Sequence, residues 1–482
     1  MSGGRIPRLL AAAATAGLLL LSSCAQTVGG TAVSIYENPF TVAGLPVTSG
    51  PSGPRPGVPD STITVENAEG TYSDLLATNA IDDLEQFWAE QYPLIFKGSF
   101  TPISTLISWD ASQDEGSGIR FCGDRTGGIP NAAYCTRDDS IGWDRTILLP
   151  ALVDAFGPMS VVMVIAHEYG HAIQHQSGLV GDDTPTIVAE QQADCFAGAF
   201  IRHVAEDDAP HFTINTSDGL NGVLAATVAV RDVDPNDPES VHGSAFERVT
   251  AVQIGFTDGA GACTGIDEDE IDARRASLPQ KFSDPDDSGE LPVTEDSLDA
   301  FTRSFETVLP VADPPIVDYS GADLGCADAK ATAPVSYCPS SNTIGVDVAD
   351  LAEQGMPETP QRGDILPLNV SGDYSAYVLF ASRYTLAVQK EAGQTLDDPQ
   401  AALRSACLSG VITSAMSVES GTTDLEVWLS PGDLDEAVSG LLSDGLAASD
   451  VNGTTLPSGF SRVDAFRSGV LGGKQRCDAR YS

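Results

Sequence analysis

The chain has 482 residues, of which 42% are hydrophobic, and 68 acidic against 25 basic side chains give it a formal net charge of −43. This length allows two or more domains, and the apolar content is sufficient for a buried core in each. So acidic a surface repels phosphate backbones and anionic lipid headgroups. We therefore expect no nucleic-acid partner, and no membrane attachment by charge.

The N-terminal residues have the pattern of an export signal. Arg5 and Arg8 precede an apolar run from Leu9 to Leu21, which is short for a membrane span and typical of a signal-peptide core. The sequence Leu21-Ser22-Ser23-Cys24 resembles a bacterial lipobox, in which cleavage before the cysteine leaves a lipidated Cys24. The alternative is an ordinary secretory signal with an incidental cysteine. We expect residues 1–23 to be removed, and Cys24 to anchor the protein at the extracytoplasmic face of the cell membrane.

The composition beyond Cys24 suggests a tether and two domains. Residues 24–60 contain six prolines among Gly, Ser and Thr, which predicts a semi-rigid tether. Apolar periodicity then predicts a helix from Ala80 to about Pro93, and strands over 103–109 and 133–149, the second broken at 137–139. We expect three segments to follow the tether: a first domain over 61–268, an acidic linker over 269–290 and a second domain over 291–482.

Two predicted helices between Pro158 and Asp194 carry the clearest chemistry. The first, over 158–177, contains His167-Glu168-Tyr169-Gly170-His171, whose histidines stand four residues apart on one helix face. This spacing suits two zinc ligands, with Glu168 placed to act on a water at the metal. The alternative is a buried helix with incidental histidines, but the chain has only six histidines in all.

The third ligand is expected from the second helix, which begins near 184 and ends before 209. A metzincin would need Gly at position 174 and His at 177, and Gln174 and Ser177 exclude that subclass. Glu190 and Asp194 are four residues apart and share a face. We expect Glu190 to ligate zinc and Asp194 to accept the outer N–H of a ligand histidine. The alternative for this acidic pair is a solvated helix face.

At these residues the chain resembles the bacterial neutral zinc metallopeptidases, a gluzincin-like group. The resemblance covers about residues 80–265 and rests on His167 to Gln174, on Glu190 to Gly198, and on shorter motifs at Phe121 to Gly123, Ala133 to Cys135 and His242 to Arg248. It implies an α+β, zincin-like peptidase domain, a Zn²⁺ cofactor and a peptide or protein substrate. For His242 two roles stay open: a donor to the oxyanion, as a histidine often is in gluzincins, or a structural residue that caps a turn.

The second half of the chain is a degenerate copy of the first. Residues 246–263 align without a gap on residues 460–477, and the zinc helix aligns on residues 381–389. The copy replaces every residue of the proposed metal site: His167 by Ser382, Glu168 by Arg383, His171 by Leu386, Glu190 by Ala402, Asp194 by Ala406 and His242 by Leu456. It keeps Tyr169, Gln174 and Arg248 as Tyr384, Gln389 and Arg462, which we therefore assign to the scaffold.

Eight cysteines remain after Cys24, an even number that suits an oxidising compartment. Sequence alone does not fix their connectivity, but the repeat constrains it. The close spacings predict bridges within each copy, and the remaining cysteines then close the longer loops. The predicted pairs are Cys122–Cys135, Cys195–Cys263, Cys326–Cys338 and Cys407–Cys477.

Together these patterns predict a membrane-anchored zinc peptidase with an inactive second copy. Two alternatives remain: a zinc-containing lipoprotein that binds a peptide or cell-envelope partner without cleaving it, and an amidase that acts on cell-wall peptides. His175, His203 and His211 receive no role.

Overall fold

In the first half of the chain, the strands of several small sheets mostly precede a series of helices in sequence. The structure is a computed structural model, and it describes residues 38–231, 242–275, 278–279, 289–357, 366, 370–417 and 424–481. The elements of the first half are β1 (Thr41–Val42), β2 (Leu45–Pro46), β3 (Gly53–Pro54), α1 (Tyr72–Ile95), β4 (Thr105–Trp109), β5 (Arg120–Phe121), β6 (Asp124–Arg125), β7 (Ala132–Cys135), β8 (Ser140–Asp144), α2 (Leu148–Phe156), α3 (Pro158–Ser177), α4 (Thr186–Ala205), β9 (Phe212–Thr213), α5 (Asp218–Ala229), α6 (Ala245–Asp258), α7 (Ala260–Cys263) and α8 (Glu268–Arg275).

The main sheet of this half has the order β4-β8-β7. Strands β4 and β8 are parallel, whereas β7 pairs with β8 in the antiparallel sense and forms an edge of the sheet. Helix α3 follows with the predicted bounds: it begins at Pro158 and is closed by Gly178 in the left-handed conformation, with φ of 69°. The result is a mixed α+β architecture with an edge strand close to the helix that carries the two histidines.

Two local elements differ from the predictions. The predicted strand over 133–149 is the hairpin β7–β8 followed by α2, because the Asp144 carboxylate accepts the N–H groups of Ile147 and Leu148 and starts a helix there. Helix α1 begins at Tyr72 rather than Ala80, because Thr71 and Asp74 form a capping box at its start.

Two segments predicted as linkers pack against the first half where the structure describes them. In the predicted tether, β3 pairs with β9 and the N–H of Thr48 donates to Thr216 Oγ1 at 2.8 Å. In the predicted acidic linker, residues 268–275 form α8, from which Arg274 donates to Gln191 Oε1. The tether is therefore wrong for residues 38–60, and the linker is wrong for residues 269–275, because partners distant in sequence satisfy their polar groups. Residues 1–37, which include the signal peptide and Cys24, lie outside the described residues.

The second half has a three-stranded sheet and longer helices in the same order as those of the first half. Its elements are α9 (Glu295–Val308), β10 (Ile316–Asp318), β11 (Val335–Cys338), β12 (Thr343–Val346), α10 (Val348–Gln354), α11 (Asp373–Glu391), α12 (Pro399–Met416), α13 (Asp433–Leu442) and α14 (Gly459–Tyr481). The sheet order β10-β12-β11, with one parallel and one antiparallel pairing, matches β4-β8-β7. A Cβ at Gly255 would lie 1.8 Å from the Cys195 carbonyl oxygen, and one at Gly469 would lie 1.8 Å from that of Cys407. The contact between α4 and α6 is thus repeated between α12 and α14.

The two halves, predicted as successive domains, share a buried interface within one compact unit. The rings of Phe256 and Phe460 are 4.9 Å apart, and Gln253 Nε2 donates to the Phe460 carbonyl at 3.0 Å. Arg231 and Asp435 form a buried ion pair at 3.6 Å across the same interface. In the part of the chain that the structure describes, no helix combines the length and apolarity that a membrane crossing requires.

The structure confirms the disulfide predictions: Cys122–Cys135, Cys195–Cys263, Cys326–Cys338 and Cys407–Cys477 are bonded. Each half therefore has one short and one long covalent loop, with separations of 13 and 68 residues in the first half and 12 and 70 in the second.

Because a longer loop restricts the unfolded chain more, the two kinds of bridge should differ in their effect on stability. We expect Cys195→Ser with Cys263→Ser to lower the free energy of unfolding by about 4 kcal/mol, and Cys122→Ser with Cys135→Ser by about 3 kcal/mol. Urea unfolding of the two double variants measures this, and the reverse order would contradict the loop-entropy argument.

Candidate metal centre

Helices α3 and α4 bring the predicted ligands to one point. A Cβ at Gly170 would lie 2.9 Å from the Cα of Ala193, so the glycine inside the histidine motif lets the two helices approach. His167 Nε2 lies 3.2 Å from Glu190 Oε2, His171 Nε2 lies 3.5 Å from Glu190 Oε1, and the two Nε2 atoms are 3.2 Å apart. These three residues, hereafter the ligand cluster, are brought together as the sequence predicted.

The outer nitrogens of both histidines are held by acceptors. His167 Nδ1 lies 2.8 Å from Asp194 Oδ1, and His171 Nδ1 lies 2.9 Å from Gln174 Oε1. The amide of Gln174 is oriented by its Nε2, which donates to the Ala189 carbonyl at 2.7 Å. Because an ionised carboxylate and an amide oxygen only accept, each imidazole donates its Nδ1–H, and its Nε2 faces the other ring.

The two Nε2 atoms and the Glu190 carboxylate converge on one point, which favours a positive charge there, either a proton on His167 or a metal ion. Glu190 Oε2 is buried in this cluster and receives no hydrogen bond from the described residues. Four-coordinate zinc with bonds of about 2.1 Å places its ligand atoms about 3.4 Å apart, and the observed separations are 3.2, 3.2 and 3.5 Å. Two imidazoles and one carboxylate also leave a fourth position for water. The donor set and its spacing therefore fit Zn²⁺.

The carboxylates around His167 favour positive charge at this point. Burial disfavours its imidazolium, but Asp194 and Glu190 outweigh the burial and raise the pKa of His167 to about 10. Burial also raises the pKa of Glu190, but the adjacent imidazoles of His167 and His171 hold it well below its usual range. A metal ion must displace the proton of His167, so metal binding should strengthen as the pH rises.

Glu168 stands apart from the ligand cluster. Its Oε2 accepts the backbone N–H of Tyr134, on the edge strand β7, at 2.9 Å. Burial, as the largest effect, raises the pKa of Glu168. A half-buried carboxylate with a raised pKa, fixed beside a metal site, can both accept and return a proton.

A cavity of about 310 Å³ opens over these groups. Its polar lining comes from the ligand cluster, Glu168, Asp194, His242 and Arg248, and its apolar lining includes Leu148, Met163 and Val230. His242 Nε2 lies 3.9 Å from Glu190 Oε2, and 44% of the His242 side chain is exposed. The start of α6 is capped by Ser244, whose hydroxyl accepts the N–H of Glu247 at 3.2 Å. The structure therefore brings His242 to the cavity and gives the cap of α6 to another residue.

Arg248 is a site residue that sequence reasoning placed in the scaffold. Its Nε and its Nη2 each donate to an Asp194 oxygen at 2.8 Å, and both side chains are almost fully buried. Burial raises the pKa of Asp194, but the charges and hydrogen bonds of Arg248 and His167 lower it by more. The net pKa is below its usual value, so this carboxyl remains ionised. Arg248 thus fixes the Asp194 carboxylate, which in turn accepts the Nδ1–H of His167. A buried, ionised Asp on a helix needs a cationic partner. This requirement could have indicated from the sequence that an arginine pairs with Asp194.

The equivalent arginine of the second half has different partners. Because Ala406 replaces Asp194, Arg462 donates instead to the backbone carbonyls of Leu441, Leu442 and Leu456. An arginine at the aligned position of each half therefore has different partners in the two halves.

The three histidines without a predicted role lie outside the ligand cluster. His175 Nδ1 is 2.9 Å from the Tyr134 hydroxyl, His211 Nδ1 is 2.6 Å from Asp83, and the His203 ring packs on Phe87.

The chain is similar over part of its length to mycobacterial proteins. No family model matches the chain, and no solved structure matches it. The uncharacterized proteins Rv2575 of Mycobacterium tuberculosis and Mb2605 of Mycobacterium bovis are each 29% identical to it, over an alignment of 151 residues that covers 26% of this chain and 51% of the relative. The chain thus spans about half the length of the curated relatives it matches, and their names state no activity.

Proposed function

We propose that the protein is an extracytoplasmic zinc metallopeptidase with a zincin-like first half and a degenerate, inactive second copy of the same fold. The observation that carries this proposal is the convergence of His167, His171 and Glu190, at the spacing of tetrahedral ligands, beside the separate carboxylate of Glu168. A Zn²⁺ ion bound there would supply a Lewis acid and lower the pKa of a water.

Glu168 is the proton carrier in this proposal. It accepts a proton from the attacking water as the oxygen–carbon bond forms, and returns it to the amine as the carbon–nitrogen bond breaks. The N–H of Tyr134 fixes its Oε2, and burial raises its pKa, so Glu168 serves as base and then as acid.

The edge strand β7 is the proposed binding surface for the substrate. Because Tyr134 turns its N–H toward Glu168 and away from β8, the outer edge of β7 faces the site and can pair with an extended peptide. His242 then donates to the oxyanion of the tetrahedral intermediate. Leu148, Met163 and Val230 form an apolar wall that suits an apolar side chain near the scissile bond.

Removal of the metal tests the proposal directly. We expect dialysis against a chelator to abolish cleavage of a mixed peptide library, and one equivalent of Zn²⁺, but not Mg²⁺, to restore it, because the ligands are imidazoles and a single carboxylate. Mass spectrometry of the library measures cleavage. A protein that binds one zinc per chain and cleaves no peptide would instead be a zinc-containing binding protein.

We also propose that lipidation of Cys24 anchors the protein at the membrane. We expect Cys24→Ser to release the protein into the medium or to block its processing, since acylation is the proposed anchor. Fractionation of cells into membrane and soluble parts measures the release, and unchanged membrane association of the variant would refute the anchor.

A further inference from the structure

Helix α14 carries a local excess of positive charge in an otherwise acidic chain. Residues 459–481 contain five basic and two acidic side chains, a local net charge of +3 against −43 for the whole chain. Three of these cations, Arg467, Arg476 and Arg480, correspond to Gln253, Ala262 and Ile266 in the first half at the alignment offset of the repeat. The second copy has thus lost the ligand cluster and acquired three arginines.

A bend in α14 brings these arginines together. Gly473 adopts φ of 62°, which favours glycine, and the helix changes direction there. Arg480 can then reach back along α14: its Nη2 lies 2.8 Å from Asp464 Oδ2, and its Nη1 lies 2.5 Å from Ser468 Oγ. Arg467 Nη2 donates to the other oxygen of Asp464 at 2.8 Å.

Arg467, Arg476 and Arg480 line one cleft of about 500 Å³ between α14, α6 and the β1–β2 hairpin, hereafter the basic cleft. The side chains of Arg467 and Arg480 are only 15% and 27% exposed, and Asp464 holds both in place. Arg476 is exposed and makes no hydrogen bond or ion pair with any described residue. Asp464 and Asp258 are the acidic lining residues, so the basic cleft keeps a net positive charge.

We propose that the basic cleft binds a phosphate group of an external ligand. A carboxylate has two oxygens, and that of Asp464 already engages two of the arginines. A phosphate offers more oxygens and up to two charges, so it can also engage the fork of Arg476. Its charge would offset the mutual repulsion of three guanidinium groups in one cleft. The phosphate could belong to a soluble ester or to a lipid headgroup, and this proposal is independent of the peptidase proposal.

The test uses the full chain with Cys24→Ser, so that no acyl chain contributes, and isothermal titration with inorganic phosphate at constant ionic strength. We expect saturable binding that Arg476→Ala weakens at least about tenfold, with Arg476→Lys intermediate, because lysine keeps the charge and loses the fork. Lys474→Ala is the matched control: it removes the same charge from the same helix, but Lys474 pairs with Asp478 at 2.7 Å and does not line the basic cleft. The midpoint of thermal unfolding should be unchanged in Arg476→Ala.

Vesicles distinguish the two sources of phosphate. Binding to phosphatidylglycerol vesicles but not to phosphatidylcholine vesicles, with dependence on Arg476, would identify a lipid headgroup; binding of phosphate without vesicle binding would identify a soluble ligand. The proposal is overturned if the chain binds neither probe saturably, or if Lys474→Ala weakens binding as much as Arg476→Ala does.

Discussion

Glu168→Gln is expected to lower the turnover of peptide hydrolysis by about 10²–10⁴-fold while one zinc per chain remains bound. Glutamine has nearly the same shape, and its amide oxygen can still accept the N–H of Tyr134 that Glu168 Oε2 accepts now. Glutamine cannot carry the proton between water and amine. Because Glu168 lies outside the ligand cluster, the metal should be unaffected.

His171→Ala is the matched comparison for Glu168→Gln. It removes one of the two Nε2 atoms of the ligand cluster, so zinc and activity should be lost together. Elemental analysis and the rate with a cleaved peptide measure the two properties separately. Full activity in Glu168→Gln would refute the proton-transfer role, and loss of zinc from this variant would make Glu168 a ligand rather than a base.

The features that sequence predicted well are those set by neighbours along the chain. Helix α3 begins at Pro158 and ends before Gly178 because of the local backbone preferences of these two residues, which can be recognised in the sequence. The histidines at 167 and 171 must share a face of any helix that contains them. The disulfide pairs followed from a spacing that occurs twice.

The features that sequence missed depend on distant partners. A segment rich in Pro and Gly has the same composition whether it is free or packed. Its attachment depends on distant partners, such as Thr216 for Thr48 and β9 for β3. The partners of Arg248 were missed for a related reason. An arginine can pair with either a carboxylate or backbone carbonyls, so an arginine at equivalent positions in both halves does not reveal which partner it has.

The second half also reaches toward the site. Asp435, on α13, accepts the N–H of Phe246 at 3.1 Å at the start of α6 and pairs with Arg231, two residues after the end of α5. His242 enters the cavity just before α6. The second half thus holds the start of α6, next to His242, which gives a physical reason for a half without the ligand residues to retain its fold.

The role of Arg248 is tested by the same substitution in both halves. Arg248→Met leaves Asp194 fully buried without its cation, which should raise the pKa of this carboxyl and weaken its hold on His167 Nδ1. We expect zinc affinity to fall by about 10–100-fold and the free energy of unfolding to fall by about 3–5 kcal/mol. Arg248→Lys, which keeps the charge but not the two-pronged contact, should lie between.

Arg462→Met removes an equally buried arginine whose hydrogen-bond partners among the described residues are backbone carbonyls, so it should destabilise the chain but change zinc affinity by less than about twofold. Competition with a chromophoric chelator measures affinity, and urea unfolding measures stability. Because Asp194→Asn removes the carboxylate charge and keeps the arginine, its zinc affinity should fall as in Arg248→Met if the arginine acts through Asp194. Equal loss of zinc affinity in Arg248→Met and Arg462→Met would show that both arginines act through the fold alone, and would return Arg248 to the scaffold.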